Sequence, residues 1–393
     1  MRFNMNPELA VTESPPIPEI QSWAEAPAIP AGLPLLDLLQ AVPGYPPDSR
    51  LVEHLARCFA EPGLSGYTPI QGLPELRRSF AAELSSKYGT EIPPECILIT
   101  AGCNQAFFAA VIGLARAGES IFLPTPYYFN HRMTLDMLGV RTIHLPARAD
   151  GGFLPDPQEA AELMESGTRA LVLVSPNNPT GAVYPPGLLE RFFELASERR
   201  IALILDETYR DFLPADTPRP HDLFRRGDWE RTLIHLYSFS KVYSLAGYRV
   251  GALAASPGFV DQILKVMDCM VICAPHIAQR AALFGIDHLR EWRQQKSALM
   301  LERVETFRHT VTDRVSGWTI GCMGAYFAYL RHPFRNLTSL QAAHRLAFEQ
   351  GLLVLPGSAF GPGQEDYLRL AFANVASARI PEIARRLSDC RLS

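Results

Sequence analysis

The stretch LIHLYSFSKVYSLAGYRVGALAA, residues 233–255, decides how the rest of the chain is read. It holds two aliphatic runs, LIHLYS at 233–238 and VGALAA at 250–255. Between them one lysine, Lys241, stands among hydroxyl residues, with Arg249 eight positions later. Apolar runs without polar alternation suit strands of a sheet that is covered on both faces. A lysine at the end of such a strand is either a solvated charge or a nucleophile, and its neighbours decide between the two.

The same texture extends outward. From roughly Leu98 to Ala255 aliphatic runs alternate with helix-period segments. Strands are expected at ILIT 97–100, SIFLP 120–124, TIHL 142–145, ALVLVS 170–175 and ALILDE 202–207, beside the two above. Helices are expected over Asn104 to Ala115, Asn130 to Leu138 and Pro186 to Arg199. Beyond Pro257 the pattern turns helical over Gly258 to Met270 and His276 to Thr312. A strand-like GAYFAYL at 324–330 and a last helix from Ile380 to Leu387 follow. Proline and glycine crowd Pro15 to Pro47, which reads as irregular and partly extended rather than helical. The expected fold is α/β: a large domain with a mostly parallel seven-stranded sheet sandwiched by helices, plus a smaller α+β domain. Residues 1–50 form an arm contributing to the small domain, 51–285 the large domain and 286–393 the small C-terminal domain.

Composition excludes several classes of protein. With 393 residues, 47% of them hydrophobic, the chain has ample material for a large core. A net charge of −4 supplies no basic field for a phosphate backbone, so nucleic acid is not an expected partner. Seven scattered cysteines without a CxxC pair fit neither a disulfide framework nor a zinc cluster, and point to reduced thiols and a cytoplasmic location. The amino terminus, with its acids and prolines, lacks a secretory core. No apolar run reaches the roughly 18 residues of a membrane helix. The histidines, among them His54, His131 and His144, show no metal-ligand spacing, and no strand is followed by a GxGxxG or GKS/GKT turn.

In an open parallel sheet, ligands bind where the strands end. Here those ends are polar. ALVLVS stops at SPNNPTG (175–181), ALILDE at DETYRDF (206–212) and LIHLYS at SFSK (238–241), while ILIT runs into AGCNQAF (101–107), which opens a helix. An acid, amides, hydroxyls, a helix amino terminus and one lysine face a single rim. Pyridoxal 5'-phosphate needs such parts: an amine to hold it as a Schiff base, an anion for its ring nitrogen and donors for its phosphate. Lys241 supplies the amine, Asp206 the anion, and Tyr209 and Asn178 hydrogen bonds to the ring oxygen. Ser238, Ser240 and Arg249 bind phosphate together with the backbone amides of Gly102, Cys103 and Asn104. Tyr127, after SIFLPTP, is placed to stack on the ring. Glu207 is read as structural, and GSAFGPG (357–363) as a mobile turn near the substrate.

With these motifs in this order, the chain resembles the class I/II aminotransferases of fold type I from about Leu38 to Leu387. YTPIQGLPELR (67–77) resembles the segment whose tyrosine crosses the dimer interface to the partner's phosphate, which implies a homodimer and points to Tyr67. YLRLAFAN (367–374) resembles the segment whose arginine grips the substrate carboxylate, which maps onto Arg369; Asn178 shares the substrate side. The resemblance implies transfer of an amino group from an L-amino acid to a 2-oxo acid in a ping-pong cycle. The same carbanion also feeds elimination, decarboxylation or oxidation, and a catalytically silent cofactor-binding scaffold is a third reading. Three places depart from the family pattern. The loop LLQAVPGYPP (38–47) has Ala41 and Val42 where a glycine is common. Cys103 and Asn104 stand where small hydroxyl or amide residues are common. Between Val266 and Gln279 the only basic candidate is His276, which disfavours an arginine clamp for dicarboxylates.

Overall fold

The computed structural model describes residues 3–25, 33–214, 217, 219–315 and 317–390. Its centre is an eight-stranded sheet. Seven of its strands coincide with the expected runs, and the eighth is a two-residue edge strand, Leu154–Pro155. In spatial order they are Ile97–Thr100, Gly251–Ala254, Leu233–Ser238, Ala202–Asp206, Thr168–Val174, Ser120–Thr125, Arg141–Arg148 and Leu154–Pro155. The five strands from Leu233–Ser238 to Arg141–Arg148 are mutually parallel. Gly251–Ala254 runs antiparallel to both of its neighbours, so Ile97–Thr100 ends on the same rim as Leu233–Ser238.

The aliphatic runs follow from this placement. Ile97–Thr100, Ser120–Thr125, Leu233–Ser238 and Gly251–Ala254 are buried at every position, because helices cover both faces and neither side of a strand meets water. On one face Phe80, Leu84, Phe192 and Phe193 pack against Leu203 and Leu205. On the other, the helix Cys103–Leu114 brings Ala106, Phe107 and Ala110 against Leu98, Leu253 and Ile204.

A second sheet of four strands, Thr319–Gly324, Phe327–Arg331, Tyr367–Leu370 and Leu355–Pro356, is antiparallel throughout and packs on the helices Arg290–Arg314, Ser339–Gln350 and Ile380–Asp389. Leu36 and Leu38 enter this core from the amino-terminal side, where Leu36–Asp37 pairs in parallel with Leu352–Leu353.

Three expectations are corrected. The Pro15 to Pro47 segment is not wholly irregular, because Pro16–Ser22 is a helix that starts on proline and buries Ile20 against Leu39, Phe129 and Leu353. Residues 26–32 of that segment lie outside the described residues. The stretch His276 to Thr312 is two helices, His276–His288 and Arg290–Arg314, which part at the fully buried Leu289. The strand Thr319–Gly324 and the helix Ser339–Gln350 add elements to the carboxyl-terminal part; the helix is announced by a capping box of Thr338 and Gln341.

Truncating a side chain at the centre of the main sheet tests this core. Leu205→Ala, at a position with no exposure, is expected to cost about 2–5 kcal/mol in urea unfolding. Val52→Ala, half exposed on the helix Ser49–Cys58, is expected to change stability by no more than about 0.5 kcal/mol.

Candidate active site

The register of the sheet assembles the site. Gly251 pairs with Thr100 on one side and with Ser238 on the other. This sets the first turn of the helix Cys103–Leu114 beside the loop that carries Ser240 and Lys241. A Cβ on Gly251 would lie 2.8 Å from the Cys103 amide nitrogen, so the backbones approach as closely as they do only because the residue is glycine. Gly102 caps the helix at φ +86°, and a Cβ there would fall 2.2 Å from the Arg249 guanidinium. Arg249 itself takes a left-handed conformation, φ 60°, and donates to the Ala246 carbonyl at 2.9 Å.

One register step further, Asp206 pairs with Val174 and with Leu236. The rim thus gathers Cys103, Asn104, Asn178, Asp206, Tyr209, Ser238, Ser240, Lys241 and Arg249 around one cleft. Glu207, next along from Asp206, points to the other face of the sheet. There it accepts hydrogen bonds from Tyr88 and, at 2.8 Å, pairs with His235.

Asp206 is buried, and one of its oxygens accepts from the Thr208 amide at 2.9 Å while the other faces His131 Nε2 at 3.6 Å. Burial alone would push its carboxyl up. The hydrogen bond and charge of His131, with the Thr208 contacts, outweigh burial and hold it below the ordinary carboxylate range. His131 is in turn fixed by stacking on Phe107, with ring centroids 3.9 Å apart.

Lys241 Nζ donates to the Ala41 carbonyl at 2.7 Å. Burial first, then the charges of Arg249 and Arg369, bring its pKa down to about 8. The Lys241 carbonyl accepts from Tyr326 at 3.2 Å, which ties the lysine loop to the second sheet. The Cys103 thiol, buried beside Asp206, is pushed well above its ordinary range and stays protonated.

Arg369 reaches this cleft from the second sheet. It is almost fully buried and donates to Asn178 Oδ1 at 3.0 Å and to the Leu39 carbonyl. Its guanidinium lies 5.0 Å from the Phe327 ring centroid and 5.2 Å from that of Phe360. Among the described residues no carboxylate pairs with it, and its Nε has no acceptor. The GSAFGPG turn supplies Phe360 to this arginine, and Gly361 sits against Tyr127.

Two sequence expectations fall elsewhere. Tyr127 does not line the cleft; it borders a separate depression with Phe129 and Arg132, and its neighbour Tyr128 takes the place on the rim. Tyr128 is the residue directly before the helix Phe129–Met137, and its ring meets that of His131 edge-on, with centroids 5.2 Å apart. Tyr67 also stands outside, at 79% exposure. Sequence reasoning passed over His131, Thr208 and the carbonyls of Leu39 and Ala41. Only His131 had a signal, its place in the first turn of the helix after a strand that ends on this rim.

With this geometry in place, comparison with known proteins gives the class of the chain. Residues 37–387 match the family described as aminotransferase class I and II, and the chain belongs to that family. It is an enzyme of the transaminase class, and the family's cofactor is pyridoxal 5'-phosphate. Among its relatives is an aromatic aminotransferase of Arabidopsis thaliana, 28% identical, with 90% of this chain and 88% of the relative covered. An aspartate aminotransferase of Pyrococcus abyssi is 29% identical over 83% of this chain and 85% of its own. A Thermus thermophilus aspartate aminotransferase, solved as a double mutant, shares the fold over the whole of both chains, with a TM-score of 0.89 at 24% identity.

The depressed lysine allows a test without cofactor. In the apo protein, acylation of Lys241 is expected to rise with pH around a midpoint near 8, since the amine is protonated below that pH and nucleophilic above it. Arg249→Gln removes a neighbouring positive charge and is expected to raise the midpoint; an unchanged midpoint, followed by peptide mass spectrometry, would remove Arg249 as a cause.

Proposed function

We propose that this cleft transfers an amino group between an amino acid and a 2-oxo acid, with the roles divided as follows. The observation that carries the reading is a buried arginine without a carboxylate partner, Arg369, sharing one cleft with a lysine of depressed pKa and a buried acid kept ionised. Burying an unpaired guanidinium is costly, and a substrate carboxylate offsets that cost with a two-point contact.

The cofactor fits the residues present. The absence of a side chain at Gly102 lets the Arg249 guanidinium sit directly over the helix amino terminus, which sets a cation where a phosphate would bind. The amides of Cys103 and Asn104 join Ser238, Ser240 and Arg249 to form a phosphate cradle at a helix amino terminus; the Gly102 amide, also expected there, already donates to the Thr100 carbonyl at 2.8 Å. Lys241 is the point of covalent attachment. Asp206, kept ionised by His131 and Thr208, is the anion for the pyridine nitrogen. Asn178 has its oxygen engaged by Arg369, which leaves its amide nitrogen to donate toward the ring oxygen alongside Tyr209. We assign the stacking role to Tyr128 in place of Tyr127. When bound, the cofactor supplies the electron sink that makes a substrate α-proton removable.

The chain's own groups do the rest. Arg369 and Asn178 orient the α-carboxylate. Lys241, its amine free, would take the α-proton at Nζ. With a pKa of about 8, roughly a tenth of this amine is neutral at pH 7, enough to serve as a general base. The Ala41 carbonyl, which stands in the loop that departs from the family pattern, accepts a hydrogen bond from the free amine at 2.7 Å.

We also propose a homodimer. The phenol of Tyr67, exposed in the single chain, is the group that would cross to the partner's phosphate cradle. The division into residues 51–285 around the large sheet, and 286–393 with the 1–50 arm around the small one, is part of the same reading, supported by an apolar core that joins Leu36 and Leu38 to residues 304–390 and holds no residue of 51–285. So is a cytoplasmic location, supported by seven unpaired cysteines. No helix among the described residues is long and apolar enough to cross a membrane.

Three variants test the assignment. Lys241→Ala is expected to lose transamination by at least about a thousandfold, and borohydride followed by peptide mapping should tag Lys241 in the parent protein; a tag at any other lysine refutes its role. Arg369→Gln is expected to lower kcat/KM for amino acids roughly a hundredfold, since two charge-assisted hydrogen bonds are lost. Tyr67→Phe is expected to weaken cofactor affinity, read by absorbance titration, and full retention of affinity and activity would remove the tyrosine from the shared site.

A further inference from the structure

A second cavity, of about 560 Å³, lies between the carboxyl-terminal half of the helix Pro74–Tyr88, the loop after Tyr209 and the junction of the helices His276–His288 and Arg290–Arg314. It is separate from the catalytic cleft and shares no lining residue with it. Four cations, Lys87, Arg210, Arg290 and Arg293, face three carboxylates, Glu83, Asp211 and Asp287. The balance of free charge is less even than this count.

Two of the carboxylates are already committed. Glu83 accepts from Arg210 at 2.9 Å through one oxygen and from Arg293 at 2.7 Å through the other. Asp211 accepts from Tyr237 at 2.6 Å, with Arg293 3.9 Å away. The cations are not all spent in return. Arg210 is almost completely buried, stacked with its guanidinium 4.0 Å from the Tyr237 ring centroid, and two of its nitrogens have no acceptor. Among the described residues Lys87 is half-buried without a direct hydrogen bond or ion pair, and burial holds its pKa below the ordinary lysine range against the more distant charges of Asp211 and Glu83. Arg290, exposed at the start of its helix, has no ion pair either. Among the described residues of the lining, Asp287 on the exposed rim is the carboxylate without an ion pair. Side chains of Ser79, Ser86 and Thr217 line the cavity and add hydroxyl donors.

We infer that this cavity is a binding site for a small multivalent oxyanion, held by Lys87 and Arg290 with Arg210 behind them. A partly desolvated ammonium without a direct ion pair, beside a buried guanidinium with two nitrogens lacking acceptors, favours an accompanying anion, and the volume accommodates a metabolite-sized ligand rather than a single water. Phosphoryl and carboxylate groups both satisfy this chemistry.

The test uses the fully cofactor-loaded enzyme, so that the catalytic phosphate cradle is filled, in a phosphate-free zwitterionic buffer at low ionic strength. Isothermal titration is run in parallel with pyrophosphate and with citrate. Saturable binding of one equivalent per chain by either anion is expected, and the stronger of the two gives the ligand class. Lys87→Gln and Arg290→Gln should each weaken that binding by about tenfold or more. Arg335→Gln, an exposed cation elsewhere on the surface, should leave it unchanged. None of the three side chains lies in the apolar cores, and circular dichroism confirms that each variant is folded. Absence of saturable binding by both anions overturns the inference, as does wild-type affinity in both cavity variants.

Discussion

The site depends on how closely two backbones approach at Gly251. This residue pairs with Thr100 on one side and Ser238 on the other, and no side chain fits between it and the start of the helix Cys103–Leu114. The contact places a helix amino terminus, with its unpaired amides and positive dipole end, against the lysine loop. The parallel strands then carry Asp206 and the SPNNPTG loop to the same rim, because strands that share direction and register must end together.

Around that rim the charges are held in states that water would not favour. Asp206 is buried yet ionised, because His131 and the Thr208 amide replace its solvent. Lys241 is protonated less readily than a free lysine because it is buried and shares its surroundings with Arg249 and Arg369. Arg369 is buried against two aromatic rings and satisfied only by an amide oxygen and a backbone carbonyl. An apolar core of this size stabilises the fold enough to tolerate such groups. They are the groups whose interaction free energy becomes available when cofactor and substrate arrive.

The second cavity follows the same logic on the reverse side of the same segments. Tyr209 faces the catalytic cleft while Arg210 and Asp211, the next two residues, line the other cavity. Likewise Ser238 lines the catalytic cleft while Tyr237, just before it, is hydrogen-bonded to Asp211. Alternation along the strand Leu233–Ser238 puts Tyr237 and Ser238 on opposite faces, and after Tyr209 the chain turns into the short 3-10 helix Arg210–Phe212, which carries both of its first residues to the far side.

Much of this was legible in the residues themselves. Seven strands stood out because segments covered on both faces must be apolar along their whole length, and the polar strand ends marked the rim for the same reason. Lys241, Asp206 and Asn178 were found because each occurs where an apolar run stops, and Arg249 because it stands directly before the next run begins. What only the tertiary structure decided were contacts between segments distant in the chain. Tyr127 and Tyr128 are the same residue type side by side, and which of them turns inward depends on where the next helix begins. His131 acquires its meaning from Asp206, and Arg369 from Asn178, partners that lie 75 and 191 positions away. Local pattern records which side chains meet water; it does not record which buried groups meet one another, and in this protein that pairing sets the charge states on which the chemistry rests.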